Sequence, residues 1–205
     1  MSSALALKDD KELTKRTIIE AAAAEFLTHG FQATTLDDIA RSADVARRTI
    51  YHHFDSKKDI LFAVCLLQAQ EFLEQVKAEV KYKKDFPKYL IDCLIYVIEE
   101  APKSRLFMLD IAQGTGIDPI ALYFGNPSLI DDWIELFQEP YNKAMIDRQI
   151  NPDMNLTKLV NWFGRISTSY LQYPLPGESP EEIRDSLQVF LLSALKFNTY
   201  QTLNL

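Results

Sequence analysis

Apolar side chains recur along this chain every three or four residues, the spacing of one face of an α-helix. Ile18, Ala22 and Phe26 stand at i, i+4 and i+8. The helix they imply stops at His29-Gly30, where a glycine ends helices readily. Short helices are expected over Leu36–Ala43 and Arg47–His53. Asp55-Ser56 then cap a long helix over Lys57–Tyr82, with Ile60, Leu61, Val64, Leu67, Phe72 and Val76 inward. Further helices are expected over Pro87–Glu100, Lys103–Gln113 and Pro127–Ile150, the last kinked at Pro140. Two more run over Leu156–Tyr173 and Pro180–Asn198, joined by a rigid turn at Pro174–Gly177. No segment sustains the two-residue alternation of a strand, so the expected class is all-α.

The segment Thr34–Phe54 is the most informative. Thr34 and Thr35 are good N-caps, and Asp37 and Asp38 follow them in capping-box register. Ile39, Ala40 and Ala43 face inward on the first short helix, and small Ala40 permits a close helix crossing. Asp44 sits at the sharp turn, where a positive φ is expected. Val45 plugs the corner, and Ile50 and Phe54 continue the core. Arg47, Arg48, Thr49 and His52 then face away from it. Two short helices about three residues apart form a helix-turn-helix. Its outward side carries what duplex DNA recognition requires. Arginine pairs with guanine or holds phosphate, threonine reaches base edges or backbone, and the Tyr51 hydroxyl suits a phosphate. Thr35 and Lys57 stand at helix N-termini, where exposed N–H groups favour an anion. The bland alternative is a solvated helical hairpin with ordinary surface arginines.

Charge looks adverse to this reading until it is divided along the chain. The net charge is −7, yet residues 1–58 hold nine basic and nine acidic side chains. The remainder holds thirteen basic and twenty acidic side chains, so the whole acidic excess lies outside the N-terminal segment. A neutral head with clustered arginine still binds phosphate, and an acidic body discourages misdirected docking. The opening residues lack the pattern of a signal peptide, and no apolar run reaches the roughly 20 residues of a membrane span. A cytoplasmic protein without membrane contact is expected. Cys65 and Cys93 lie in helical apolar patterns and read as buried free thiols.

The stretch Arg16–Leu61 resembles the N-terminal domain of the TetR family of bacterial regulators. The residues that carry the resemblance include Gly30-Phe31, Thr34-Thr35, Asp38-Ile39-Ala40, Thr49-Ile50-Tyr51, His53-Phe54 and Ser56-Lys57, with Tyr51–Lys57 the most specific run. The resemblance implies that Arg47–His52 form or flank the DNA-reading helix. It also implies backbone contacts from Thr35, Tyr51, His52 and Lys57. The DNA-binding set is therefore Thr34, Thr35, Ala46, Arg47, Arg48, Thr49, Tyr51, His52 and Lys57. Two positions depart from the family pattern: Asp44 replaces a common turn glycine, and Ala46 replaces a common Ser/Thr cap.

The last two expected helices are apolar beyond one core stripe, which suggests packing against another subunit. The resemblance points the same way, to a homodimer closed by the final two helices. The expected interface comprises Trp162, Phe163, Ile166, Tyr170, Leu187, Phe190, Leu191 and Ala194. Two-fold symmetry would present two heads to a pseudo-palindromic operator. The middle helices are rich in aromatic residues. Such stripes are commonly core, but in the family these helices enclose an effector pocket. The expected lining is Tyr96, Phe107, Met108, Trp133, Phe137 and Tyr141, suited to a mostly apolar small molecule. The expected architecture is thus an N-terminal three-helix bundle with the helix-turn-helix in residues 1–56. A larger helical domain for effector binding and dimerisation spans residues 57–205.

Enzyme motifs are missing. His52 and His53 point about 100° apart on a helix and cannot chelate one metal together. There is no Glu-x-x-His pair, no zinc-protease motif and no Gly-x-Ser-x-Gly elbow. The glycine pair in 114–119 follows no strand and precedes no Lys-Ser/Thr, so it reads as a turn. No catalysis, metal or cofactor is expected. The expected function is transcriptional regulation, as a repressor released by its effector. The alternative is an acidic helical interaction module without specific DNA binding.

Overall fold

The computed structural model describes residues 2–103 and 126–195, with side chains from Asp10 onward in the first helix. All regular structure among them is helical. The helices are α1 (Ser2–His29), α2 (Leu36–Ser42), α3 (Arg47–His53), α4 (Lys57–Glu79), α5 (Phe86–Glu100), α6 (Pro127–Ile146), α7 (Leu156–Gln172) and α8 (Pro180–Leu195), with one 3₁₀ turn at Ala101–Lys103. The expected helix beyond Lys103, the 114–119 turn, Phe107 and Met108 lie outside the described residues. The chain divides into two compact units, one made of residues up to Ala69 and the other starting at Gln70, a division that falls within α4.

The first unit is built on the inward residues expected of it. Ile18, Ala22 and Phe26 of α1, Ile39 and Ala40 of α2, Ile50 of α3, and Ile60, Leu61 and Val64 of α4 are all buried. Gly30 ends α1 with φ 79, and its N–H donates to Phe26 O at 3.0 Å. The Phe31 ring then folds back onto Phe26, centroids 5.3 Å apart.

The second unit is organised around α5, with Phe86, Tyr89, Leu90, Ile91, Cys93 and Leu94 all buried. Asp85 caps it by accepting the Lys88 N–H at 2.9 Å, and Pro87 occupies its first turn, where no donor is needed. Helix α6 continues through Pro140 but ends at Ile146, not Ile150. Arg148, at φ 53, closes it: its N–H donates to Met145 O and the Gln149 N–H to Ala144 O. The Gln149 side chain then receives the Phe86 N–H at 3.0 Å and donates to Lys84 O at 2.8 Å, fixing the start of α5. Trp133, Phe137 and Phe163 stack with Phe86 and Tyr89, ring centroids 4.9–6.3 Å apart across α5, α6 and α7.

This packing corrects the expected partner surface. Phe163, Leu187 and Leu191 are buried in their own chain and offer nothing to a second subunit. Phe163 lies against Trp133 and Phe137, while Leu187 and Leu191 share a buried stripe of α8 with Ile183 and Leu195. A terminal helix in a monomer must bury one stripe before it can lend another to a partner. What remains outside is Phe190, 75% exposed, with Val189 and Ala194 exposed beside it. On α7, Trp162, Ile166 and Tyr170 are half-buried. Both cysteines are buried and free, as expected, and burial raises the Cys65 thiol to about 11. Among the described residues no helix is long and apolar enough to cross a membrane.

Candidate nucleic-acid interface

Helices of seven residues are too short to hold themselves, so the geometry of α2 and α3 depends on how their ends are fixed. Helix α2 starts with a complete capping box. The Asp38 N–H donates to Thr35 Oγ1 at 3.2 Å, and the Thr35 N–H donates to Asp38 Oδ2 at 3.0 Å. The Thr35 hydroxyl also donates to that carboxylate at 2.6 Å. These bonds, the hydroxyl's first, hold the Asp38 carboxyl below its ordinary value, with Arg41 adding to the effect.

Helix α2 ends in a Schellman motif. The Asp44 N–H donates to Arg41 O at 3.2 Å and the Val45 N–H to Ala40 O at 2.9 Å, with Asp44 at φ 52. This is the positive φ expected at the turn. Helix α3 then begins at Ala46, which makes no side-chain cap; the first intrahelical bond, Thr49 N–H to Ala46 O, is 2.8 Å. Ile50 is completely buried and pins the inner side of α3.

With Ile50 inward, Arg47, Arg48, Tyr51 and His52 are exposed and Thr49 is half-buried. Ala46, Arg48, Thr49, Tyr51 and His52 line one open depression of about 440 Å³. The two arginines differ. Arg47 Nη1 pairs with Asp37 Oδ2 at 2.8 Å, and Nη2 donates to the Tyr51 hydroxyl at 3.2 Å. Its guanidinium also lies 5.7 Å from the centre of the Tyr51 ring. The Tyr51 hydrogen bond and then the Asp37 charge raise its already high pKa. Arg48 makes no ion pair among the described residues and stands over the depression.

Two expected contacts are placed elsewhere. Thr34 is buried, and its hydroxyl donates to Gly30 O at 2.8 Å, so it braces the loop ahead of α2 and presents nothing outward. Lys57 is turned inward. Its ammonium donates to Phe31 O at 2.6 Å, Thr34 O at 2.7 Å and Gln32 O at 3.4 Å, and lies 4.4 Å from the Phe31 ring centroid. Burial lowers its pKa. An ammonium satisfied by three carbonyls on one loop is a structural tie. Thr35 stays exposed, although its hydroxyl is committed to the cap.

Sequence reasoning passed over Asp37 as more than a first-turn acid. Its partner Arg47 lies ten residues on, a spacing with no helical periodicity, so only the folded turn brings the pair together. His53 is half-buried beside α1, and burial first, then His52, Lys11 and Lys15, hold its pKa below 6.5. In the second unit, Trp133 and Phe137 are buried rings, Tyr96 is half-buried against Phe72, and the Tyr141 hydroxyl donates to Met154 O.

Comparison with known proteins bears on this unit directly. Residues 18–64 match the family model described as "Bacterial regulatory proteins, tetR family". The chain is 23% identical over 150 residues to the HTH-type transcriptional regulator UidR of Escherichia coli K12, covering 73% of this chain and 75% of that one. It is 44% identical over 55 residues to the probable acrEF/envCD operon repressor of the same strain, covering 27% of this chain and 25% of that one. The solved structure of RolR with resorcinol has the same fold, at a TM-score of 0.67 and 13% identity, covering 95% of this chain and 93% of that one.

Proposed function

Because this chain belongs to the TetR family of bacterial transcription regulators, we propose that it represses transcription by binding a pseudo-palindromic duplex operator as a homodimer. Residues 1–56 are the DNA-binding domain in this reading, and residues 57–205 the effector and dimerisation domain. One observation carries it. The outer side of α3 presents Arg48, Thr49, Tyr51 and His52 around a single depression, on a helix held by a capped α2 and the buried Ile50. A helix fits the major groove, where arginine and threonine read base edges and tyrosine and histidine hold the flanking phosphates. Arg48, clear of ion pairs among the described residues, is the principal cation of the groove. Arg47 contributes beside it, Ala46 lets the backbone come close, and Thr35 lies at the rim.

The homodimer closes over the apolar side of α8 around Phe190 and Ala194, with Trp162, Ile166 and Tyr170 of α7 flanking. Phe190 exposes too much apolar surface for an unpaired monomer to leave in water without cost. The effector is a mostly apolar small molecule held in the second domain, with Tyr96, Trp133, Phe137 and Tyr141 as its expected lining. Phe107 and Met108, the other residues expected to line it, lie outside the described residues. Effector binding favours a dimer whose heads are spaced wrongly for the operator, a shift of populations. No catalytic step is assigned to the chain, and it acts in the cytoplasm, where its DNA lies.

The test is a mobility shift on DNA flanking the chain's own gene, read against salt. Retention of a specific fragment, with Arg48→Ala weakening binding and lowering the salt slope by about 1, supports the reading. Retention only at low salt and without sequence preference overturns it. That outcome favours the acidic interaction module instead.

A further inference from the structure

The pair formed by Asp37 and Arg47 presents a puzzle. A carboxylate on the DNA-facing side of a helix-turn-helix repels phosphate, yet Asp37 is exposed there, with 54% of its side chain in contact with solvent. We propose that Asp37 is a positioning residue for DNA binding, which acts through Arg47 to turn the Tyr51 hydroxyl proton outward, toward a phosphate. This rests on the regulator reading and names one device within its site.

The donors and acceptors of the three side chains fix the direction of each bond. A guanidinium has only donors, in a fixed planar fork. One arm, Nη1, is held by Asp37 at 2.8 Å, which orients the plane. The other arm, Nη2, donates to Tyr51 at 3.2 Å, so the phenol oxygen is the acceptor in that bond. Its own hydrogen is then free to be donated elsewhere. A phosphate oxygen is acceptor only, so a hydroxyl with its donor side outward is the form it needs. Among the described residues no other hydrogen bond holds Tyr51, which is 49% exposed. Without Asp37, the exposed Arg47 side chain is free to leave the hydroxyl, and binding must then order both side chains at an entropic cost.

Arg47 and Arg48 thereby have separate tasks, although they are neighbours in sequence. Arg47 is held by the protein and orients Tyr51, and Arg48 is left for DNA. The ion pair itself is solvent-exposed and contributes little to folding, so its consequence is read in binding.

The experiment compares wild type, Asp37→Asn, Tyr51→Phe and the double variant as full-length protein. The probe is a duplex carrying the sequence that wild type selects from a random pool. Coulomb's law alone requires Asp37→Asn to bind more tightly, because a negative charge near phosphate is removed. The positioning role requires the reverse, about threefold weaker binding at an unchanged melting temperature. It also requires that the double variant bind no more weakly than Tyr51→Phe alone, since both changes break one relay. Tighter or unchanged binding by Asp37→Asn, or fully additive losses, overturns the proposal and leaves the regulator reading intact. If wild type selects no sequence from the pool, both fail together.

Discussion

Replacing Lys57 by methionine keeps the side chain's stem and removes its ammonium, which separates two roles for this residue. As a phosphate contact, Lys57 contributes one released counterion and nothing to folding. As a tie, it holds the loop between α1 and α2 through Phe31 O at 2.6 Å and Thr34 O at 2.7 Å. A hydrogen bond to a charged donor contributes about 1.5–3 kcal/mol. Two such bonds are offset by the desolvation of a half-buried ammonium, and water rehydrates part of each carbonyl in the variant. The net loss is about 2 kcal/mol. For a chain of this size that lowers the melting temperature by about 4–8 °C. Thermal unfolding followed by far-UV circular dichroism measures the first quantity, and operator affinity against salt, taken well below the transition, measures the second. The tie predicts a lower melting temperature and an unchanged salt slope. An unchanged melting temperature with a slope smaller by about 0.9 would refute it and return Lys57 to the phosphate backbone.

Three other substitutions probe separate links. Asp44 occupies φ 52, which costs a non-glycine residue about 1 kcal/mol, so Asp44→Gly should stabilise the protein by about 0.5–1 kcal/mol in urea unfolding; destabilisation would mean that the Asp44 side chain holds the turn. Phe190→Glu places a charge on the exposed side of α8 and should weaken the proposed dimer by about 2–3 kcal/mol, or roughly 30- to 150-fold. Sedimentation equilibrium measures this, and an unaltered dimer would place the interface elsewhere. His53 has a folded pKa below its ordinary 6.5, because burial and then His52, Lys11 and Lys15 disfavour the proton, with Glu12 opposing weakly. The unfolded chain takes up that proton first, so stability present above pH 6.5 is lost as the pH falls beneath it. Urea midpoints should therefore fall between about pH 7 and about pH 5, and His53→Gln should flatten the curve; an equal slope in the variant would exonerate His53.

The fold was legible wherever one periodicity decided the matter. Ile18, Ala22, Phe26, Ile39, Ala40, Ile50 and Phe54 were placed inward by spacing and are buried. The helix end at Gly30 and the turn at Asp44 follow from local chemistry that a single chain displays in full. The tie made by Lys57 is not legible in the sequence because its partners are main-chain carbonyls of residues 31–34, and carbonyls carry no sequence signal. Phe163, Leu187 and Leu191 were assigned outward for a related reason. An apolar surplus on a helix shows that two surfaces are covered, but the choice of stripe for the chain's own core depends on the neighbouring helices, such as Trp133 and Phe137 on α6. The same limit hid the Asp37–Arg47 pair, which exists only once the turn has closed.

These ends and ties together decide how firmly α3, the proposed reading helix, is held before DNA arrives. Helix α2 is fixed at both ends, by the Thr35–Asp38 box and by the Schellman closure at Asp44. The loop before it is fixed by Thr34 and Lys57. Helix α3 has no such start: Ala46 leaves its first N–H groups without a side-chain acceptor, and an absent cap forfeits about 1 kcal/mol. It is anchored from beneath by Ile50 and laterally by Arg47 reaching Asp37. A firm scaffold helix beside a reading helix uncapped at its start concentrates freedom in the segment that must adapt to the groove. Ala46→Ser should reduce that freedom by supplying the missing acceptor. It should raise stability by about 1 kcal/mol and slow amide exchange across Arg47–Thr49. If exchange there is already as slow as in α2, the first turn is held by something other than its cap, and the adaptable start assigned to α3 is wrong.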